Sequence, residues 1–115
     1  MEQQESTRQQ KIGSLLRRDL SDIFLKEARD FVHGTMVSVT VVRVSPDLSF
    51  AKIYLSVFPY AQAQAVVDKL NDNVWIVRKA LGQRVRNQLR IVPELDFRLD
   101  DSLEYIENID NLLKK

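Results

Sequence analysis

Between Asp72 and Glu94 the chain carries no acid, yet it places five cations there: Arg78, Lys79, Arg84, Arg86 and Arg90. Guanidinium and ammonium groups gathered without counter-charge suit phosphate oxygens, which accept their donors singly or in pairs. They sit in "RKALGQRVRNQLR", residues 78 to 90, where Val77, Leu81, Val85 and Leu89 recur at helical spacing. On an ideal helix Lys79, Arg86 and Arg90 project away from that apolar stripe, while Arg78 and Arg84 flank it. Gly82 stands in the middle, where glycine costs roughly 1 kcal/mol against alanine. It predicts either a bend or a close approach by a neighbouring element. Most charge runs are solvated helix faces, but those usually alternate in sign, and this one does not.

Other chemistries find no support. His33 is the single histidine, in a "VHG" loop with no metal-ligating neighbour, and there is no cysteine, so no metal centre is expected. Asp100, Asp101 and Glu104 resemble a carboxylate cluster, but helix capping explains them better. Neither a nucleophile–base pair nor a phosphate-cradling glycine loop is present. An enzyme is not expected, nor a cofactor or a small-molecule substrate.

The elements that must position the cations follow from the spacing of apolar residues. Residues 6 to 28 read as a helix capped by Ser6, with Ile12, Leu15, Leu16, Leu20, Ile23 and Phe24 on one stripe. Arg8, Lys11 and Arg18 lie off that stripe and make one flank basic. "TMVSVTVVRV" (35 to 44) then alternates Val37, Val39 and Val41 against Ser38, Thr40 and Val42. "SPDLS" supplies a turn, and "FAKIYLSVF" (50 to 58) puts Ala51, Ile53, Leu55 and Val57 on one face. An antiparallel hairpin is expected. Residues 61 to 72 are helical, with Val66, Val67 and Leu70 inward, and "NDN" separates them from the basic helix, which should run to about Arg90. Leu95, Phe97 and Leu99 alternate in a third strand over 93 to 100, and "DSLEYIENIDNLLKK" closes with a helix. Trp75, near a helix start, reads as partly buried core. Tyr54 and Phe58, on the outer face of their strand, read as structural.

The order is α-β-β-α-α-β plus a final helix: an α+β fold whose three-stranded sheet is covered by helices on one face. With 115 residues and 44% hydrophobic content, one domain spanning 1–115 is expected. Lack of cysteine, of an N-terminal signal and of any long apolar run points to a cytoplasmic protein away from membranes. A monomer is expected. Net charge is only +1, but the basic stretch is followed by a strongly acidic one from Glu94 to Asp110, so opposite faces differ in sign.

Three segments together, "RQQKIGSLLRRDLSDIF" (8 to 24), "VRVSPDLSFAKIYLSVF" (42 to 58) and "RKALGQRVRNQLRIVPELDFRLDDSLEYIENIDNLL" (78 to 113), resemble the ribosome-binding factor A family. The resemblance implies a type II KH-like domain in which an A-x-G kink, here Ala80, Leu81 and Gly82, replaces the usual GxxG loop. It implies binding to the free small (30S) ribosomal subunit and its 16S rRNA. It further implies assistance in late processing and maturation, notably in the cold, without catalysis. Lys79, Arg84, Arg86 and Arg90 would then contact phosphates, joined by Arg8, Lys11 and Arg18. A stand-alone KH-type protein binding single-stranded RNA would share the fold and the basic face. A protein-interaction module using the acidic C-terminal helix would instead show no salt-dependent RNA binding.

Overall fold

A computed structural model of the chain describes residues 5–26 and 34–100. Its elements are α1 (Thr7–Lys26), β1 (Met36–Val44), β2 (Phe50–Phe58), a 3-10 turn (Tyr60–Gln62), α2 (Ala63–Asp72), α3 (Val74–Val85) and β3 (Glu94–Leu99). The α-β-β-α-α-β order is the expected one. His33 and the expected last helix, with Asp101 and Glu104 at its start, lie outside the described residues.

The start of α1 is set by a reciprocal cap. Ser6 Oγ accepts the Gln9 backbone N–H at 3.1 Å, and Gln9 Oε1 accepts the Ser6 N–H at 2.7 Å. Its apolar stripe is buried, with Leu16, Leu20 and Ile23 fully inaccessible. The helix lies along β1, one of the two outer strands of a sheet ordered β1-β2-β3. An outer strand leaves backbone groups open, and α1, with Glu5 just before it, answers them with side chains. Gln9 Nε2 donates to the Val44 carbonyl at 2.7 Å, Arg17 Nε donates to the Val39 carbonyl at 3.2 Å, and Glu5 accepts the Val44 N–H at 2.8 Å.

β1 and β2 form the expected antiparallel pair, with one irregularity. Val39 faces Leu55 and Val41 faces Tyr54, so Thr40 is an extra residue in a bulge. The bulge shifts the phase of alternation: Val42, rather than Val41, packs against the core beside buried Val39 and Val44. Thr40 Oγ1 donates to Asp100 Oδ2 at 2.6 Å, so this carboxylate ties the end of β3 to β1; the helix it was expected to cap lies outside the described residues. β2 and β3 run parallel and bury their apolar residues as expected, namely Ala51, Ile53, Leu55 and Val57 on one and Leu95 and Phe97 on the other.

α2 buries Ala63, Val66, Val67 and Leu70 against β3 and β2. Near its end Asn71 reaches the outer edge of β3, its Oδ1 accepting the Phe97 N–H at 2.9 Å and its Nδ2 donating to the Phe97 carbonyl at 2.8 Å. One residue, Asn73, with φ −120° and ψ 27°, then separates α2 from α3. That junction is where the helical pair breaks.

Two expectations for α3 are corrected. The helix runs on through Gly82, and it stops at Val85 rather than near Arg90. The early stop has a tertiary cause. Arg78 draws the chain back against the helix, its Nη2 donating to the Val92 carbonyl at 2.8 Å and its Nε to the Pro93 carbonyl at 3.2 Å. The Glu94 N–H meanwhile donates to the Ser49 carbonyl at 2.9 Å, starting β3 beside β2. The chain must therefore reverse within residues 86–91.

A Cβ built on Gly82 would meet only Val92 Cγ2, at an ordinary 3.5 Å. Gly82→Ala is therefore expected to stabilise the fold by roughly 0.5–1 kcal/mol through helix propensity. A higher urea midpoint at unchanged m-value would show it; a lower midpoint would mean that the position needs glycine.

Candidate nucleic-acid interface

The basic residues divide into two sets. Arg78 holds the segment before β3, as described. Arg84 reaches α1: its Nη1 lies 2.6 Å from Asp22 Oδ2, and its side chain is only 25% exposed. Lys26 approaches the other Asp22 oxygen at 3.3 Å. The Arg84–Asp22 pair clamps α1 to α3, so Arg84, expected to meet phosphate, faces a carboxylate of its own chain.

The Arg84 hydrogen bond, helped by Lys26, holds the Asp22 carboxyl below its ordinary 3.8, against partial burial that works to raise it. A lowered folded-state pKa stabilises the fold above the ordinary value and ceases to do so as pH falls through the lowered one. Asp22→Asn is therefore expected to flatten the stability–pH profile below about pH 4 and leave its shape above about pH 5 unchanged. Urea titrations of both proteins across that range check this. Parallel acid limbs would show that the clamp carries no linkage.

The second set points outward. Arg8, Lys11, Lys79, Arg86 and Arg90 are exposed, and none forms an ion pair with a described residue. Arg18, 70% exposed, has only its neighbour Asp19 at 3.7 Å, a contact of little energetic weight. On α1 the residues Arg8, Lys11, Leu15, Arg18 and Asp22 follow three- and four-residue steps, so they share one flank. Asp22 meets Arg84, which orients that flank toward α3. On α3, Trp75, Lys79 and Gly82 form a second stripe at the same spacing, and Arg86 at the helix cap keeps helical dihedrals and extends it. Within the expected A-L-G site, Leu81 is fully buried and Ala80 packs against the core, so only Gly82 reaches this surface.

The α1 flank meets the segment that follows α3. Arg8 of α1 and Arg90 line one cleft of about 240 Å³, closed on its third side by the 45–49 turn. In that turn Asp47 Oδ1 accepts from Ser45 Oγ and Ser49 Oγ, each at 2.7 Å, and from the Ser49 N–H at 3.1 Å. Those three donors, the Ser49 hydroxyl foremost, lower the Asp47 pKa. "SPDL" is thus a built turn as well as a recognisable run of letters.

Trp75 departs from expectation, because 65% of it is exposed at the start of α3. Its stripe, shared with Lys79, was legible in the spacing, but tryptophan's usual preference for burial masked it. Tyr54 is half-buried opposite Arg98 in the sheet register, and Phe58 is 66% exposed opposite Met36. No group of metal-ligating side chains occurs among the described residues, and no helix there is long and apolar enough to cross a membrane. The described residues offer an exposed aromatic ring, exposed cations without an ion-pair partner among them, and a cleft, a combination suited to RNA.

Comparison with known proteins agrees with that chemistry. The crystal structure of ribosome-binding factor A from Thermus thermophilus has the same fold, with a TM-score of 0.67 at 22% identity, covering 79% of this chain and 94% of that one. A homology model of the Thermus thermophilus protein, fitted into the cryo-EM map of its 30S complex, superposes with a TM-score of 0.59 at 24% identity over 77% of this chain and 91% of that one. The ribosome-binding factor A of Cytophaga hutchinsonii is 44% identical over 111 residues, 96% of this chain and 84% of that protein. The family model for ribosome-binding factor A spans residues 8–113. With a match over nearly its whole length and a relative at that identity, the chain belongs to the ribosome-binding factor A family.

Proposed function

We propose that this chain binds the free 30S subunit through its 16S rRNA and assists late rRNA processing and subunit maturation, including at low temperature, without catalysing a reaction. The observation that carries this reading is the meeting of Arg8 of α1 with Arg90 of the segment after α3 at one cleft, in a member of this family. The fold is read as a type II KH-like domain. In it the α2–α3 junction at Asn73 occupies the place of the nucleic-acid loop, and Trp75 follows in the next turn of helix. Lys79, Arg86 and Arg90, with Arg8, Lys11 and Arg18, contact phosphates, and Gly82 leaves the helix surface open between them.

Cosedimentation with purified small subunits, large subunits and assembled ribosomes across a salt series tests the proposal. Selective, salt-sensitive binding to free small subunits supports it. Equal binding to every RNA favours a stand-alone KH-type binder, and absence of binding removes the RNA reading altogether.

Trp75 is the single tryptophan, so its fluorescence reports directly on this face. If it stacks on a base, RNA quenches it, and Trp75→Ala weakens binding by about 1–3 kcal/mol. Stability should stay within about 0.5 kcal/mol, because the side chain is mostly exposed. Unchanged emission on saturation with subunits would remove Trp75 from the interface.

A further inference from the structure

The cleft between α1, the 45–49 turn and the segment after α3 has a composition that phosphate binding alone does not explain. Buried Ile12 and Pro93 and partly buried Leu48 and Leu89 make it apolar. Ile91, 72% exposed, adds an apolar side chain with no burial to account for it. Arg8 and Arg90 bring positive charge to the same hollow. At about 240 Å³ it is smaller than the roughly 300–1,000 Å³ of sites for drug-sized ligands. One planar ring system suits that size.

The turn adds an independent observation. Leu48 adopts φ 65°, a left-handed conformation that glycine or asparagine holds at lower cost. The Leu48 N–H donates to the Ser45 carbonyl at 2.9 Å, and the Asp47 hydrogen bonds fix the residues around it. What leucine supplies at this position is its side chain, which packs on the rim of the core and walls the cleft. A strained residue kept in place by a dense hydrogen-bonded turn is a common feature of binding sites.

We infer that this cleft receives one unpaired nucleotide of the bound RNA, its base between Leu48, Leu89 and Ile91 and its phosphate at Arg8 and Arg90. The inference rests on the RNA-binding reading above and names a subsite within it. Asp47 lines the same cleft and repels phosphate, so it sets the polarity: the phosphate lies at the arginine end, and the base enters toward the turn.

The test uses the full chain with Leu48→Gly and Ile91→Ser. Glycine accepts φ 65° without cost, so Leu48→Gly keeps the turn, and Ile91 is exposed enough for serine to be tolerated. Neither changes charge. Each variant should bind small subunits roughly tenfold more weakly, with the slope of log K against log salt unchanged. In amide NMR spectra, uridine monophosphate should shift Leu48, Ser49, Leu89 and Ile91 in the wild type and not in the variants. Inorganic phosphate should reach only the arginine end. Wild-type subunit affinity in both variants overturns the inference and leaves the RNA-binding reading intact. So do shifts that inorganic phosphate reproduces in full. Tight, localised binding of uridine monophosphate by a protein that ignores subunits overturns it too, in favour of a free-nucleotide site. That last result would also remove the proposed function.

Discussion

Replacing Lys79, Arg86 and Arg90 together with alanine should weaken small-subunit binding roughly a hundredfold at moderate salt, at about 1 kcal/mol per phosphate contact in water. The salt dependence is the sharper readout. If Arg8, Lys11, Arg18, Lys79, Arg86 and Arg90 each neutralise one phosphate, the wild-type slope of log K against log salt lies near −4 to −5, at about 0.7–0.9 per contact. The triple variant should lose about 2 to 3 of that slope. Arg84→Ala is the informative control, because its guanidinium is engaged with Asp22. It should lower stability and leave the slope alone. A triple variant with the wild-type slope would move the phosphate contacts elsewhere.

The distinction between Arg84 and its neighbours shows where reading the sequence stops. Spacing alone separates Lys79, Arg86 and Arg90, which point away from the apolar stripe, from Arg78 and Arg84, which flank it. That division holds in the structure. It does not reveal that the flanking pair have partners, because Asp22 lies 62 positions from Arg84 and the Val92 carbonyl 14 from Arg78. Periodicity placed β2, β3 and the buried stripe of α1 correctly, since each buries one face along its length. It failed at Thr40, where one inserted residue reverses the alternation, and at Val85, where Arg78 and the start of β3 turn the chain against its local propensity. Gly82 suggested a bend because an interior glycine is costly, but the helix continues through it; the break expected at "NDN" is found at Asn73, whose side chain donates to the Lys69 carbonyl at 2.9 Å. The cleft was invisible for the same reason as the clamp: its walls come from three distant parts of the chain.

Phe97→Ala should be the most damaging single substitution for the fold, costing about 3–5 kcal/mol. The reason lies in how β3 is held. It is a six-residue strand at the edge of the sheet, hydrogen-bonded to a strand on the β2 side alone. Asn71 closes its outer edge, with both amide groups on the Phe97 backbone. On the core side the Phe97 ring, 1% exposed, packs against Phe24 of α1 with centroids 5.9 Å apart and planes inclined at 58°. One residue thus joins α1, α2 and the sheet. Alanine would open a cavity among elements that cannot collapse together without breaking the Asn71 contacts or the β2 register. Against a typical total of about 5–15 kcal/mol, that loss leaves the protein marginal. Phe97→Leu, which keeps most of the volume, should cost far less, and urea unfolding of the two variants measures the difference. The consequence reaches the proposed RNA-binding face, because residues 86–93 lead directly into β3 and are otherwise held by Arg78 and by the packing of Leu89 and Val92 on the core. Asn71→Ala, which removes no charge and no core volume, should therefore loosen that segment and weaken small-subunit binding at an unchanged salt slope. Full affinity in Asn71→Ala would show that Arg78 alone suffices to hold Arg86 and Arg90 in place.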